Sequence, residues 1–278
     1  MKYYKDSLKR RRESIIAHPS FEETKLKIED LANFICNFTD LIWWNGNFAF
    51  LFHKNKVFIM QSEILDSTYS TLLSIRQLVE IGHFSDVNVL MRKLRDDLFL
   101  FLYLLEVVNR YRLGHETVHE RNAFKWMENK LENLTISDIL IYLIKNESIN
   151  KAIIKHNLRK AWDNIGKNLN NFVHGNGIMY AQLNYANYDY KTIEKIFNDI
   201  TFKLSYIVSV FVVLLILIKP SLISSSDYVD ALELGIQPAR DSQYNIAPFI
   251  QEFIDNYVIK LHPDIKNFLK DRVYMRFD

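Results

Sequence analysis

Apolar residues recur at intervals of three and four along most of the chain, which is the spacing of one face of an α-helix. This pattern predicts a helix from about Phe21 to Asp40, two long helices within 62–112 that meet near Gly82, and a long helix over Thr192–Ile218. Because the connection at Gly82 is short, its two helices are expected to pack antiparallel. Shorter helical segments are predicted at Thr117–Leu134, from Ser137 onward, and at Ser148–Val173, Pro248–Lys260 and Asp264–Arg272.

Three stretches depart from the helical period. Two aromatic and β-branched runs within 48–60 flank Lys54-Asn55-Lys56, which is compatible with a small β-hairpin. Ile178–Tyr190 is rich in tyrosine and asparagine and is predicted to be a loop. The stretch 221–246 contains a serine run, a glycine and a proline, so it is expected to be a linker.

Prolines and glycines are scarce, which restricts the fold class. No proline occurs in the 200 residues from Ser20 to Lys219, and the whole chain has seven glycines. An all-β protein needs a turn signal every 8–12 residues, and alternating βαβ units need glycines between them. The sequence therefore predicts an all-α protein in three parts: an N-terminal basic arm, helix and hairpin (1–60), a helical bundle (61–220), and a linker with C-terminal helices (221–278).

Composition excludes several classes of protein. With 49% hydrophobic residues the chain is not disordered, and a single cysteine, Cys36, excludes a disulfide framework and a cysteine-based zinc module. A lone cysteine also fits the reducing cytoplasm. The net charge of +2 does not indicate nucleic-acid binding, so such a role needs a local basic patch. The run Lys9–Arg12 has no apolar stretch after it, which predicts a solvated arm rather than a secretory signal.

One apolar segment raises the question of a membrane span. Leu204–Ile218 has fifteen residues, about 22 Å of helix, whereas the hydrocarbon core of a bilayer is about 30 Å thick. A buried core helix is therefore favoured, in a cytoplasmic protein. Action on a membrane by this helix, within an oligomer or after a conformational change, stays open as the alternative.

His115-Glu116-Thr117-Val118-His119 matches the H-E-x-x-H pattern of zinc metalloproteases. In those enzymes two histidines one turn apart bind zinc, and the glutamate activates the bound water. Charged residues flank the pattern here instead of apolar ones, so an exposed start of a helix is favoured over a zinc site. We expect neither a metal nor a cofactor.

A second cluster consists of Arg92, Arg95, Asp96 and Asp97 in the second long helix. Arg92 and Asp96 are four residues apart and can pair on one helix face, which Arg95 shares with Arg92. The apolar run that follows places part of this cluster toward the bundle interior. Two interpretations remain open: a polar contact that joins two helices, and a binding site for an anion.

A third cluster lies at the end of a predicted helix, where His174 is followed by two nearby glycines. An accessible histidine at a helix C-terminus, where a positive charge is stabilised, suits a general acid or base or a contact to phosphate. Asn168, Asn170 and Asn171 can donate hydrogen bonds without carrying charge. The alternative is a capping histidine with no further role.

Taken in order, the second and third clusters resemble the HEPN-like superfamily, in a branch of bacterial proteins linked with abortive infection and other phage defence. Gly82–Leu105, with Arg92 and Asp96, is similar to a family helix that runs from a glycine through apolar residues to an arginine and an acidic residue. Leu169-Asn170-Asn171-Phe172-Val173-His174 is similar to the family pattern Leu-Asn-x-aromatic-Val-His. The resemblance covers Ser62 to Lys219.

The resemblance implies an antiparallel helical bundle that cleaves RNA without a metal, in a homodimer or a higher homo-oligomer. His174 would act on the ribose 2′-hydroxyl or the leaving oxygen, and Asn170 would orient the substrate. The positions where active members carry an arginine before the histidine hold Asn168, Leu169 and Asn170 here. The phosphate contacts therefore fall to Arg92 and Arg95.

The resemblance also implies a second kind of role, because other members of the superfamily bind nucleotides or serve as scaffolds. The residues expected to contact RNA or a nucleotide in this chain are Arg92, Arg95, Asn168, Asn171 and His174. The expected function is a bacterial defence or stress effector that binds RNA or a nucleotide signal, with a partner protein encoded nearby. The alternative is a non-enzymatic oligomer that acts on the membrane through its apolar helices under nucleotide control.

Overall fold

The computed structural model describes residues 2–44, 50–53, 56–60, 62–112, 115, 117–239 and 244–277. It is 75% helical and 4% strand, which confirms the all-α class predicted from the scarcity of proline and glycine. The first half contains α1 (Lys2–Ile16), α2 (Ser20–Trp44), β1 (Phe50–His53), β2 (Lys56–Ile59), α3 (Glu63–Ile81) and α4 (Phe84–Arg110).

The second half contains nine more helices among the described residues, several of them short. They are α5 (Val118–Met127), α6 (Ile136–Leu143), α7 (Glu147–Lys155), α8 (Leu158–Val173), α9 (Ile178–Gln182), α10 (Tyr190–Ile218), α11 (Ser226–Glu233), α12 (Pro248–Asn256) and α13 (Ile265–Arg272). Single 3₁₀ turns occur at Pro220–Ile223 and Val258–Lys260.

Helix α10 lies at the centre of the hydrophobic core. It packs chiefly against α4 and α2, and α7, α8 and α13 also contact it. It is long and apolar enough to cross a membrane, but 83% of its most apolar window is buried inside the fold. The prediction of a buried core helix over Leu204–Ile218 is therefore confirmed, since a helix that is hydrophobic all round needs neighbours on every side.

The helical hairpin at Gly82 and the β-hairpin both form. Gly82 adopts a left-handed conformation (φ +78°) at the end of α3, where glycine is favoured because it has no Cβ. Lys93 of α4 contacts Ser67 of α3, so the two helices run antiparallel. Strands β1 and β2 pair antiparallel with His53 opposite Lys56, and the turn residues between them lie outside the described residues.

The basic N-terminal segment forms a helix that packs on the fold through one face, so the prediction of an arm is wrong, whereas Lys9, Arg10 and Arg12 of the basic run are exposed as predicted. Arg11 is 4% exposed and Ile15 is 1% exposed, because this face of α1 packs onto the turn between α3 and α4. Arg11 donates hydrogen bonds to the carbonyl oxygens of Gly82 and Leu183, the latter at 2.6 Å, and lies over the ring of Phe84.

Other predicted boundaries also need correction. The single helix expected over Ser148–Val173 is divided into α7 and α8 at Asn157, which adopts φ +49°. Asparagine tolerates this left-handed conformation better than most residues. Helix α5 ends at Met127 instead of continuing to Leu134, and the loop expected at Ile178–Tyr190 includes α9. The linker at 221–246 includes α11.

Candidate functional site

A cleft of about 420 Å³ lies between α4, α6 and α8, and it brings together Arg92, Arg95 and Asn170. We call it the Arg92 cleft. Two of the predicted clusters thus meet in space, although about 75 residues of sequence separate them. Its other lining residues are Asp96, Asp97, Leu100, Leu131, Leu134, Thr135, Ile136, Ser137 and Ile139.

The packing of α8 against α4 positions these groups. The rings of Phe99 and Trp162 stack with their centroids 4.1 Å apart, and the Arg95 guanidinium lies over Trp162. One turn further along α8, a Cβ on Gly166 would come within 2.6 Å of Arg95 Nη1, so the glycine leaves room for the guanidinium. Because the helices run antiparallel, the next turn of α8 places Asn170 in the same cleft as the residues of α4.

Arg95 is fixed by its neighbours. Its exposed fraction is 5%, and its Nε and Nη2 donate to Asp96 Oδ1 at 2.9 and 2.7 Å. Arg92 Nε lies 3.5 Å from the other carboxylate oxygen of Asp96, which confirms the predicted Arg92–Asp96 pair. One carboxylate therefore serves two guanidinium groups, and the positive charge of the pair is only partly neutralised.

Two residues that line the cleft each have one polar side-chain atom that is buried without a hydrogen-bond partner among the described residues: Arg92 Nη1, a donor, and Asn170 Oδ1, an acceptor. Buried polar side chains are nearly always hydrogen-bonded, and one that is not costs about 1–3 kcal/mol. A ligand that both accepts and donates hydrogen bonds would satisfy the two atoms together. The first interpretation of this cluster, a polar contact that only joins two helices, leaves these atoms unexplained.

Two further features set the electrostatic potential of the cleft. Thr135, Ile136 and Ser137 at the start of α6 line it, and Thr135 forms a capping box with Asp138 that satisfies two backbone N–H groups and places a carboxylate at this helix end. The N–H groups of this turn that the box leaves free carry partial positive charge. Asp97 is hydrogen-bonded to Lys93, while burial raises the pKa of the Asp97 carboxyl. The lining thus balances two arginines against two aspartates, one of which is already paired with Lys93.

His174 is not among the residues that line the Arg92 cleft. It ends α8 with an exposed side chain, four residues after Asn170, which corresponds to about 6 Å of helix rise. Exposed apolar side chains lie near it along the chain, with Ile178 74% and Met179 61% exposed. The predicted set is thus divided: Arg92, Arg95 and Asn170 share the cleft, and His174 lies on the surface beyond it.

The other two predicted asparagines contact groups of the protein itself. Asn168 Oδ1 accepts a hydrogen bond from Lys203 Nζ at 2.6 Å, and Asn171 Oδ1 accepts one from Asn176. Lys203 is 4% exposed and also bonds to Asn88 and Asp199, so it joins α4, α8 and α10. This role of Lys203 was not predicted from the sequence, although a lone lysine before a long apolar run was the available signal.

The H-E-x-x-H pattern does not form a helical zinc site. His115 precedes α5, whereas His119 lies within it, so the two do not share a helix face; Glu116 lies outside the described residues. His119 Nδ1 is 3.0 Å from the Tyr103 hydroxyl, and burial lowers the pKa of His119. Throughout the described ranges, no three His, Cys, Asp or Glu residues are placed to hold a metal ion.

Comparison of the chain with protein-family models, curated proteins and solved structures finds no significant match.

Proposed function

We propose that the Arg92 cleft binds a phosphate group of RNA or of a nucleotide, and that the protein acts as a bacterial defence or stress effector through this binding. The observation that carries the proposal is the pair of buried atoms without partners, Arg92 Nη1 and Asn170 Oδ1. A phosphate oxygen would accept from the guanidinium, and a ribose hydroxyl would donate to the amide oxygen.

The size and composition of the cleft support this ligand class. Its volume of about 420 Å³ falls within the roughly 300–1,000 Å³ of small-molecule sites, so it exceeds what a bare phosphate ion needs. Leu100, Leu131, Leu134 and Ile139 supply apolar surface beside the charged groups. A nucleotide combines a flat apolar ring with an anion, which matches that combination.

The two arginines have different roles in the proposal. Arg95 donates its Nε and Nη2 hydrogen atoms to Asp96, so it contributes mainly charge and holds the carboxylate in place. Arg92 has the free donor and makes the direct contact with phosphate. Its guanidinium offers hydrogen bonds in the planar arrangement that suits phosphate oxygens.

Cleavage of RNA is the catalytic part of the proposal, and it depends on His174. An RNA strand that leaves the cleft along the end of α8 would pass the exposed imidazole, which would transfer a proton at the 2′-hydroxyl or the leaving oxygen. A homodimer belongs to the same proposal, because the exposed Ile178 and Met179 near His174 suit contact with a second copy.

The alternative of an effector that acts on the membrane is less favoured by the burial of α10. That helix would have to leave the core, and Lys203 would lose its hydrogen bonds to Asn88 and Asn168.

Replacing Arg92 tests the binding proposal. We expect Arg92→Gln to weaken binding of a labelled single-stranded RNA, measured by fluorescence polarisation, by about tenfold or more, since one charge-assisted hydrogen bond contributes roughly 1.5–3 kcal/mol. ATP and GMP serve as competitors to separate RNA from nucleotide binding. Arg12→Gln is the matched control, because Arg12 is an exposed arginine with an ion pair to Glu80. Equal affinity of the two variants would refute the proposal.

Replacing His174 tests catalysis separately. His174→Ala is expected to leave the fold and RNA affinity unchanged, because the side chain is exposed, and to abolish cleavage of the labelled RNA in the presence of EDTA. Toxicity on expression should disappear with it. Full cleavage by the variant would exclude His174 as the acid or base without affecting the binding proposal.

A further inference from the structure

Helix α10 forms the floor of a second groove, of about 240 Å³, which shares no residue with the Arg92 cleft. Helix α2 provides one wall through Lys27, and the segment 257–261 provides the other through Tyr257, Lys260 and Leu261. We call it the α10 groove. The proposed function does not use it.

A stripe of polar residues on α10 faces this groove. Asn198, Thr201, Ser205 and Ser209 follow one another at intervals of three and four residues and all line it. The Thr201 hydroxyl donates to the carbonyl oxygen of Phe197 at 3.0 Å, which is common for threonine in a helix. The side chains of Asn198, Ser205 and Ser209 form no hydrogen bond with any described residue.

Ser209 is the decisive member of the stripe because it is deeply buried. Its exposed fraction is 1%, and its hydroxyl has no partner within the described part of the chain. Its oxygen is not among the fully buried unpaired atoms of the described residues, so the part of this side chain that stays accessible opens into the groove that it lines. A hydroxyl at the floor of a groove is explained if a bound molecule supplies the missing hydrogen bond.

The walls of the groove indicate that this molecule is an anion. Lys27 and Lys260 are the charged lining residues, and none of the lining residues is acidic. Lys27 Nζ bonds to Glu23 at 2.6 Å at the edge of the groove. Lys260 Nζ lies 5.4 Å from the centroid of the Tyr257 ring and has no ion pair within the described ranges.

Aromatic side chains add a surface for a flat ring. Phe202 is 57% exposed and lines the groove, and its ring centroid lies 5.9 Å from that of Tyr206. Tyr257 is held in place by stacking on Phe253 and by a hydrogen bond to Asp30. An exposed phenylalanine beside two fixed tyrosines allows a planar group to stack at the groove.

We propose that the α10 groove is a second ligand site, for a nucleoside monophosphate or a similarly small anion with a planar ring. The hydroxyl and amide groups of α10 would bind polar atoms of the ligand, Lys260 and Lys27 its phosphate, and Phe202 its ring. The volume lies below that of most small-molecule sites, so the groove would enclose part of one nucleotide and leave the rest in solvent. This inference is independent of the proposed function, because it concerns different residues.

Titration calorimetry of the full chain tests this inference, with AMP, GMP, CMP and UMP as probes. The measurements use the Arg92→Gln background, so that the Arg92 cleft does not contribute to binding. At least one nucleotide is expected to bind with one-to-one stoichiometry. Adenosine or the matching nucleoside alone, and inorganic phosphate alone, should each bind at least about tenfold more weakly, because each lacks half of the contacts.

Two substitutions then locate the site. In that background, Lys260→Gln and Ser209→Ala should each weaken binding by about tenfold, whereas the exposed Lys151→Gln, whose lysine pairs with Glu147 on α7, should not. Ser209→Ala should not lower thermal stability, which separates loss of binding from loss of fold. Absence of binding by all four nucleotides, or binding unaffected by Lys260→Gln and Ser209→Ala, overturns the inference and leaves the proposal for the Arg92 cleft untouched.

Discussion

At the scale of single residues, His156 makes the stability of this protein sensitive to pH. Its side chain is 3% exposed, and both ring nitrogens are buried without a hydrogen-bond partner among the described residues. The ring lies 4.7 Å from that of His262 and 5.0 Å from that of Phe268 in α13. Burial lowers the pKa of His156, the neighbouring His262 and Lys155 lower it further, and Asp264 opposes them.

We expect the free energy of unfolding to fall as the pH drops below about 6.5, the ordinary value for histidine. Because the pKa of His156 is lowered in the folded state, the unfolded chain binds the proton more readily, and stability is lost from that value down to the folded pKa. Urea denaturation between pH ~8 and ~5.5 measures the loss. His156→Phe should reduce the pH dependence because it removes the titrating imidazole. The variant should still fold, because the phenylalanine ring can pack against Phe268.

His174→Gln is the control for this prediction, since His174 is exposed and its replacement should leave the pH dependence unchanged. A His156→Phe variant with the same pH dependence as the unmodified chain would contradict the prediction. His119, whose pKa is also lowered by burial, contributes to the dependence that remains.

Residue contacts could be predicted from sequence where they are local. Arg92 and Asp96 pair as predicted, because four residues of helix fix their separation. The sequence could not separate the roles of Asn168 and Asn170, since that depends on which helices face them. Asn168 meets Lys203 from α10, and Asn170 enters the Arg92 cleft. His174 was grouped with the arginines by order along the chain, which does not determine distance in space.

At the scale of secondary-structure elements, the turn between α3 and α4 also holds α1. The Gly82 carbonyl oxygen accepts a hydrogen bond from Arg11. A Cβ at Gly82 would overlap Ile15 Cδ1 and approach Arg11 Nε to 3.3 Å. The glycine therefore serves two purposes, since it permits the positive φ of the turn and leaves space for α1 to approach.

Gly82→Ala is expected to destabilise the protein by about 2–4 kcal/mol. Roughly 1–2 kcal/mol comes from the left-handed backbone, and the rest comes from overlap with α1. Gly235→Ala is the matched control, because Gly235 has φ +65° and no atom within 4 Å of the added Cβ. It should show the backbone cost alone. Urea denaturation followed by circular dichroism compares the two variants, and an equal loss of stability would exclude the overlap with Ile15.

The elements predicted best are the long helices, whose apolar period continues over many turns. Helix α1 was predicted as a solvated arm because its sequence is dominated by charge. Its packed face depends on partners of Arg11 that are 71 and 172 residues away in sequence. The break at Asn157 was missed because the apolar period resumes directly after it, at Leu158. A left-handed asparagine interrupts a helix without any proline or glycine to mark the position.

At the scale of the whole molecule, the scarcity of proline and glycine predicted the all-α class. The apolar composition of α10 predicted that this helix is buried in the core. The position of the Arg92 cleft could not be predicted from the sequence, because it depends on the packing of α4, α6 and α8 against one another. The HEPN-like resemblance stays a prediction. Its two motifs meet in the fold through Arg92, Arg95 and Asn170, whereas the histidine of the second motif lies outside the cleft.

Lys203 has a consequence before the protein is folded. It ends the apolar run Leu204–Ile218 on its N-terminal side, although the helix as a whole is long and apolar enough to cross a membrane. If this run met a membrane in an unfolded chain, the lysine at its end would reach the lipid interface, where its amino group stays hydrated. Once the chain has folded, the same side chain is buried and joins three helices, so its hydrogen bonds are gained only when α10 packs inside the protein.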